Sequence, residues 1–437
     1  MTSFKIIGGT PLRGAVRLGG AKNASFKLMI AAACADGESR LLNMSKIGDV
    51  DITYKTLEAI GVKCSRPGDN TVYIVGSGLN TDTIPKFTGE KTRAATLFAG
   101  LLLNKKKRAI IPLPGGCALG ERPIERHLDG FRAMGATVIC NDVGIEMSAP
   151  NGLIGATYRF PKKSHTGTEA LIIAAVLAKG RTVIENAALE PEIDDLIEFF
   201  NKMGAEIKRS GDAIHVDGVE RLHGATHMVM SDRNEAVSYA TMAIATKGDI
   251  IVEGAVKEHL SAFLTKLDEI GGKYEIADYG IRFYYDKSLR STDLITAPEP
   301  GFMTDWQPLW TTMMTQAQGT SKIIEAVTQH RLAFTEQLNQ MGASITPFDP
   351  MPADPSSYYE FNYPETTVYD HAVTVVGPTP LHGAHMTVPD LRGGATLVMA
   401  AIMASGESVI DKIELIDRGY ESFDERLRNL SANIVRI

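Results

Sequence analysis

Apolar residues along this chain follow two patterns that alternate. The first is an amphipathic stretch that ends in an apolar residue, passes through a small pivot and continues as alternating, strand-like positions. It occurs as AIGVKCS from 59, AMGATVI from 133, KMGAEIK from 202, EIGGKYE from 269, QMGASIT from 340 and NLSANIV from 429. The pivots are Gly61, Gly135, Gly204, Gly271, Gly342 and Ser431. The second pattern is an Ala- or Met-rich helix that runs through glycine into a β-branched strand. It reads AAACADGESRLL, AAVLAKGRTVIE, AIATKGDIIVEG, MMTQAQGTSKII and AAIMASGESVID, while GLLLNKKKRAIIP fills the remaining slot with Asn104 at the turn. Glycine suits such joints because a residue without Cβ adopts the left-handed capping conformation at little cost.

Two interleaved joints, each in six copies, predict six repeated units of roughly two helices and several short strands. The class is therefore α/β, and six units divide most naturally into two similar domains of three. Successive pivots lie 74, 69, 67, 71 and 89 residues apart. The surplus in the last interval falls on PFDPMPADPSSYYEFNYPETTVYDH, residues 347–371, with five Pro, four Tyr, five acidic residues and no Lys or Arg. Proline at that density opposes regular structure, so the stretch reads as an inserted surface loop, either a solvated excursion or a tyrosine-lined partner surface.

The 437 residues suffice for two or three domains with their own cores. A net charge of −7 gives no general attraction to nucleic acid or anionic lipid, so any anion site must come from a few converging cations. The N-terminal residues lack a secretory apolar segment, no run reaches membrane-spanning length, and Cys34, Cys64, Cys117 and Cys140 have no zinc-like spacing. The expectation is a cytoplasmic protein with reduced thiols and no metal, binding neither nucleic acid nor membrane.

Candidate chemistry sits where helices begin. In GGAKNASFK a Gly turn and Lys22-Asn23 precede an Ala-rich helix. A lysine at a helix N-terminus is unfavourable unless an anion binds there, and a solvated lysine is the other reading. Arg93, Arg122, Arg331, Arg392 and Arg418 stand at element ends, where a guanidinium fork meets phosphate or carboxylate with two hydrogen bonds, or forms a surface ion pair. Asp305 in FMTDWQPLW and Asp232 in MSDRNEA each read either as a helix N-cap or as a general base. Cys117 lies in the glycine-rich PGGCALGERP, an odd place for a residue that usually hides in cores. Arg122 nearby would favour its thiolate, and the glycines would let such a loop close over a ligand.

AKN at 21–23, PGGCALGERPIERH at 114–127, ENAALEPEI at 185–193, TDWQ at 304–307, PDLRGGA at 389–395 and IDRGYE at 416–421 together resemble the UDP-N-acetylglucosamine enolpyruvyl transferases. The match runs in order along almost the whole chain. It implies two inside-out, barrel-like α/β domains of three repeats each, one over 21–231 and the other over 1–20 plus 232–437. It also implies transfer of an enolpyruvyl group from phosphoenolpyruvate to the sugar 3-hydroxyl, with release of phosphate and no cofactor, as the first committed step of peptidoglycan synthesis.

By the same resemblance Lys22, Asn23, Arg122, Arg392 and Arg418 would contact phosphoenolpyruvate. Asn23, Arg93, Arg122, Pro123, Ile124, Glu125, Arg126, Lys162, Ser164, His165, Asp305 and the backbone of Val327 would hold the nucleotide sugar. Asp305 would take the hydroxyl proton, Cys117 would protonate the methylene carbon, and Lys22 and Arg392 would assist the chemistry. The thiol would also make the enzyme open to alkylation by fosfomycin.

The sequence departs from the family pattern in three places. KKSHTGTEA at 162–170 stands for the usual Ser-Val-Gly-Ala-Thr run, and Gln329-His330 for a Glu-Asn pair, so Arg331 is not carried over to the site. The 347–371 stretch lies outside every matched motif. The alternatives are a shikimate-phosphate enolpyruvyl transferase, which lacks the loop cysteine and has Lys-Ser near its start, or a nucleotide-sugar-binding paralogue that is non-catalytic or of altered specificity. Both substrates are small molecules, and the oligomeric state is left open.

Overall fold

The computed structural model describes residues 2–113, 124–141, 144–363 and 371–437. They form two compact units, one from the described residues of 2–19 and 231–437, the other from the described residues between 20 and 230. No helix among the described residues is long and apolar enough to cross a membrane.

The expected repeat is what the chain builds. The pivots Gly61, Gly135, Gly204, Gly271 and Gly342 have φ of 93°, 84°, 94°, 81° and 99°, and Ser431 takes the same left-handed conformation at 76°. Each pivot turns an outer amphipathic helix into a strand, a reversal that only a positive φ allows at that length. The second set of joints is less uniform. Gly180, Gly319 and Gly406 are left-handed, but Lys247 rather than Gly248 takes that role in its joint, and Gly37 does not. Asn104 is not the turn residue either: the helix Phe98–Lys106 continues past it, and Lys107 takes the left-handed position at φ 62°. The side-chain amide of Asn104 instead donates to the carbonyls of Ile173 and Ala174, at 3.2 and 3.1 Å.

Among the described residues, the barrel-like domains of the sequence reading are realised as six separate sheets, with no closed barrel. In the unit between 20 and 230, Thr226–Met228 lies parallel beside Glu38–Leu42, so the end of this unit pairs with its first sheet. In the other unit, Ser3–Ile7 lies antiparallel between Glu407–Asp411 and Asn433–Arg436, and Arg13–Arg17 runs parallel to Asp249–Glu253.

Each unit has its own hydrophobic core. At its centre run the Ala- and Met-rich helices. All thirteen residues of Arg233–Ala245 and all eight of Gln307–Met314 are buried, as are Ala24 to Ala32 of the helix Lys22–Ala32. A helix enclosed on every side needs no polar stripe, and small residues let neighbours approach. At Gly100 a Cβ would come within 2.8 Å of the backbone nitrogen of Ala174.

Of the 347–371 stretch, residues 347–363 and 371 are described, and most of 347–363 lies at the surface, but two side chains turn inward. Strand Ser344–Phe348 runs into it, Asp354 caps a short helix Pro355–Tyr358, and Tyr359 and Phe361 are buried with Ala326 in a small separate cluster. Proline excludes a long element here but fits the first turn of a helix, where no N–H is needed.

Candidate active site

The central helices carry the candidate residues at their N-termini. In the unit between 20 and 230, Lys22 opens Lys22–Ala32, Arg93 opens the 3₁₀ turn Arg93–Leu97, and His165 opens His165–Ala175. Three basic-type residues at first helical positions oppose the helix dipole, a recurrence that points to negative charge nearby.

For Lys22 part of that charge is internal. Its Nζ lies 2.9 Å from Oδ2 of buried Asp49, in the first turn of the helix Gly48–Ala59, and 5.7 Å from the centre of the Phe26 ring. It is therefore not a solvated lysine. Asn23 follows it, half-buried. Ser164 is an N-cap whose Oγ accepts from the N–H of Gly167 at 3.1 Å. His165 faces a buried ionic group that sequence reasoning missed. Its Nε2 lies 3.1 Å from Glu169 Oε1 and 3.2 Å from Lys27 Nζ, its Nδ1 lies 3.9 Å from Glu190, and Lys27 and Glu169 meet at 2.6 Å. Burial and Lys27 oppose a charged imidazole there, but Glu169 and Glu190 hold its proton affinity above the ordinary value. The signal was present: past its opening lysine, Lys27 is the one charge of an apolar helix, and Glu169 is the one carboxylate of another.

Ile124 precedes the helix Glu125–Ala133, and the Arg126 carbonyl accepts from Tyr158 Oη at 3.0 Å. Lys162 is half-buried just before the Ser164 cap. His127 on the same helix meets Thr166 Oγ1 at 3.0 Å. Burial, helped by the Arg126 guanidinium, pushes its pKa down to about 4. Between the usual 6.5 and about 4 the unfolded chain takes a proton that the folded chain refuses. Stability is thus fully present above pH 6.5 and is lost as pH falls toward 4, by about 3 kcal/mol from this residue. Denaturation midpoints measured across that range should fall less steeply for His127→Gln. Equal slopes in the two proteins would remove His127 as the cause.

In the other unit the two ambiguous aspartates separate. Asp232 is an N-cap, accepting from the N–H groups of Asn234 and Glu235 at 2.7 and 3.1 Å. Asp305 is not: Trp306 occupies the capping position of Gln307–Met314 without a side-chain bond to the helix, its indole donating instead to Asn234 Oδ1 at 2.9 Å. The Asp305 carboxylate is left to two guanidiniums. Oδ1 accepts from Arg331 Nη2 at 2.8 Å, and Oδ2 from Arg392 Nε and Nη2, both at 3.2 Å.

Both arginines are buried, at 2% and 3% exposure, whereas Asp305 keeps 21%. Arg392 lies in the first turn of Leu391–Met403, capped by Asp390, with its guanidinium 5.4 Å from the Tyr420 ring centre. Its Nη1 is buried without a hydrogen-bond partner among the described residues. An unsatisfied buried cationic donor costs free energy until an anion meets it. Arg331, set aside on sequence grounds, thus belongs beside Asp305; its Nη1 also lies 3.5 Å from Asp390.

Arg418 is half-buried in the turn before the helix Phe423–Asn429. The N–H of Val327 is committed to Glu325 Oε1 at 2.9 Å, which leaves the carbonyl as the backbone group able to receive a ligand. Cys117, Arg122 and Pro123 lie outside the described residues, and Arg93 is described by its backbone.

Comparison with known proteins bears on the whole chain. The model of the family EPSP synthase (3-phosphoshikimate 1-carboxyvinyltransferase) matches residues 6–427. The UDP-N-acetylglucosamine 1-carboxyvinyltransferase of Protochlamydia amoebophila is 38% identical over 99% of this chain and 94% of its own length. The enzyme of the same name from Idiomarina loihiensis is 38% identical over 100% of both chains. Among solved structures, the enolpyruvyl transferase NikO from Streptomyces tendae gives a TM-score of 0.87 at 21% identity, covering 100% of this chain and 98% of that one. EPSP synthase from Acinetobacter baumannii gives 0.76 at 19% identity over 100% of both. The fold is common to these proteins, but identity above one third from end to end is found with the nucleotide-sugar branch, and on that ground the chain belongs to the enolpyruvyl transferase family, with the UDP-N-acetylglucosamine 1-carboxyvinyltransferases.

Proposed function

We propose that this chain transfers the enolpyruvyl group of phosphoenolpyruvate to the 3-hydroxyl of UDP-N-acetylglucosamine and releases phosphate, the first committed step of peptidoglycan synthesis. The observation that carries this reading is end-to-end identity with enzymes named for that reaction. The geometry supports it with a carboxylate held by two buried guanidiniums, one of which keeps a donor unspent.

In this reading the sugar hydroxyl adds to C2 of phosphoenolpyruvate while its methylene carbon gains a proton, giving a tetrahedral phosphate ketal. Loss of a methyl proton and of phosphate then restores the vinyl group. Asp305 receives the hydroxyl proton, fixed by Arg331 and Arg392 so that little reorganisation is needed. Arg392 Nη1 and Lys22 bind the donor's anionic groups, with Arg122 and Arg418 completing the set. Cys117 supplies the methylene proton. Ser164, His165, Lys162, Asn23, Arg93, Ile124, Glu125, Arg126 and the Val327 carbonyl hold the nucleotide sugar. The substrates are small molecules and the site of action is the cytoplasm.

Phosphate release with two acceptors tests the reading. Steady release from phosphoenolpyruvate is expected with UDP-N-acetylglucosamine and not with shikimate 3-phosphate. Release with the shikimate ester would reassign the acceptor, and binding of the nucleotide sugar without release would mark a non-catalytic relative.

A further inference from the structure

The segment that lengthens the last repeat folds onto a turn of the candidate site. Past the helix Pro355–Tyr358 the chain delivers Tyr359 and Phe361, at 0% and 5% exposure, against Ala326. The Tyr359 ring stacks on Phe361 at 4.8 Å and on Tyr363 at 5.1 Å, and lies 5.0 Å from the His371 ring. Tyr359 therefore faces inward, while Tyr358 and Tyr363 are partly buried against it. Two hydrogen bonds complete the attachment. The N–H of Glu360 donates to the Ala326 carbonyl at 2.8 Å, and the Gln329 side-chain amide donates to the Asn362 carbonyl at 3.2 Å.

Further hydrogen bonds hold the same turn. Glu325 Oε1 accepts from the N–H groups of Val327 and Thr328 and from Thr296 Oγ1, at 2.9, 2.8 and 3.0 Å, and the Glu325 N–H donates to the His371 carbonyl at 2.7 Å. The turn then passes through His330, left-handed at φ 51°, into Arg331 and its contact with Asp305. A non-glycine residue stays in that conformation only where its surroundings impose it.

We propose that residues 349–363 are a positioning brace for the acceptor half of the site, clamping the turn 325–331 so that the Val327 carbonyl and Arg331 are presented in one geometry. The inference rests on the function proposed above for what the turn binds, but the clamping itself does not. Gln329 is part of the brace. It is 6% exposed, and a carboxylate in its place would have no proton to give and would set two acceptors against each other. Glutamine at 329 and the added segment are one device.

Three variants of the full chain test this: Tyr359→Ala, Gln329→Glu and the conservative Tyr359→Phe. In the first two, the KM for UDP-N-acetylglucosamine should rise about tenfold while that for phosphoenolpyruvate stays within about twofold. Tyr359→Phe, which keeps the stacked ring, should lie nearer the unmodified chain than Tyr359→Ala in both measurements. Hydrogen exchange at the Val327 and Thr328 amides should quicken about tenfold in the first two, with the helix Leu391–Met403 unchanged. Unchanged exchange at 327–328, or both KM values rising together, would overturn the brace. An unmodified chain inactive with the nucleotide sugar would instead overturn the proposed function, and the exchange measurement would still decide the brace.

Discussion

Asp305→Asn is expected to lower kcat by roughly 10²–10⁴-fold while the KM for the nucleotide sugar moves by no more than about threefold. Asparagine keeps the shape of aspartate and one carbonyl oxygen for the guanidiniums, but it cannot take a proton. Alanine is the poorer probe, because it leaves Arg331 and Arg392 buried at 2% and 3% exposure without their shared counter-ion. An uncompensated buried charge costs several kcal/mol, so an Ala variant would mix lost chemistry with lost packing. Steady-state kinetics with both substrates varied decides the matter. If affinity for the sugar falls in proportion to kcat, Asp305 binds the acceptor and does not act as its base.

The largest effect on stability is expected at Lys27. Its ammonium meets Glu169 at 2.6 Å, and the two side chains are 2% and 0% exposed. Lys27→Met should destabilise the protein by about 3–5 kcal/mol, because Glu169 is left charged and buried with its main partner gone. The double change Lys27→Met with Glu169→Leu should recover most of that loss, since removing both charges also removes their desolvation cost. Urea denaturation of the three proteins measures the difference. A double variant no more stable than the single one would show that the pair matters through shape and not through charge.

Much of this molecule was legible because its repeats use the same backbone device. A positive φ at a helix-to-strand reversal selects a small residue, so five glycines and a serine stood out at even spacing. The joints after the central helices were harder to read. Lysine reaches the left-handed region at 107 and 247, and no side-chain preference announces that. The two aspartates could not be separated from sequence, because an aspartate one or two residues before a helix suits a cap in either place. What separates them is Trp306, which shifts the start of its helix by one residue and frees Asp305 for the arginines. Arg331 was undervalued because its neighbours at 329 and 330 are unusual. The cause lies some thirty residues away, at the Asn362 carbonyl that accepts from Gln329, and long-range compensation of that kind leaves no local pattern.

The pairing of Ser3–Ile7 between Glu407–Asp411 and Asn433–Arg436 also fixes an order of events during synthesis. The unit between 20 and 230 can mature as soon as its own residues have left the ribosome. The other must keep Ser3–Ile7 waiting until residues 407–436 are made, an exposed edge with its partners absent. A nascent chain arrested past residue 230 should therefore carry one protease-resistant body and a digestible leader.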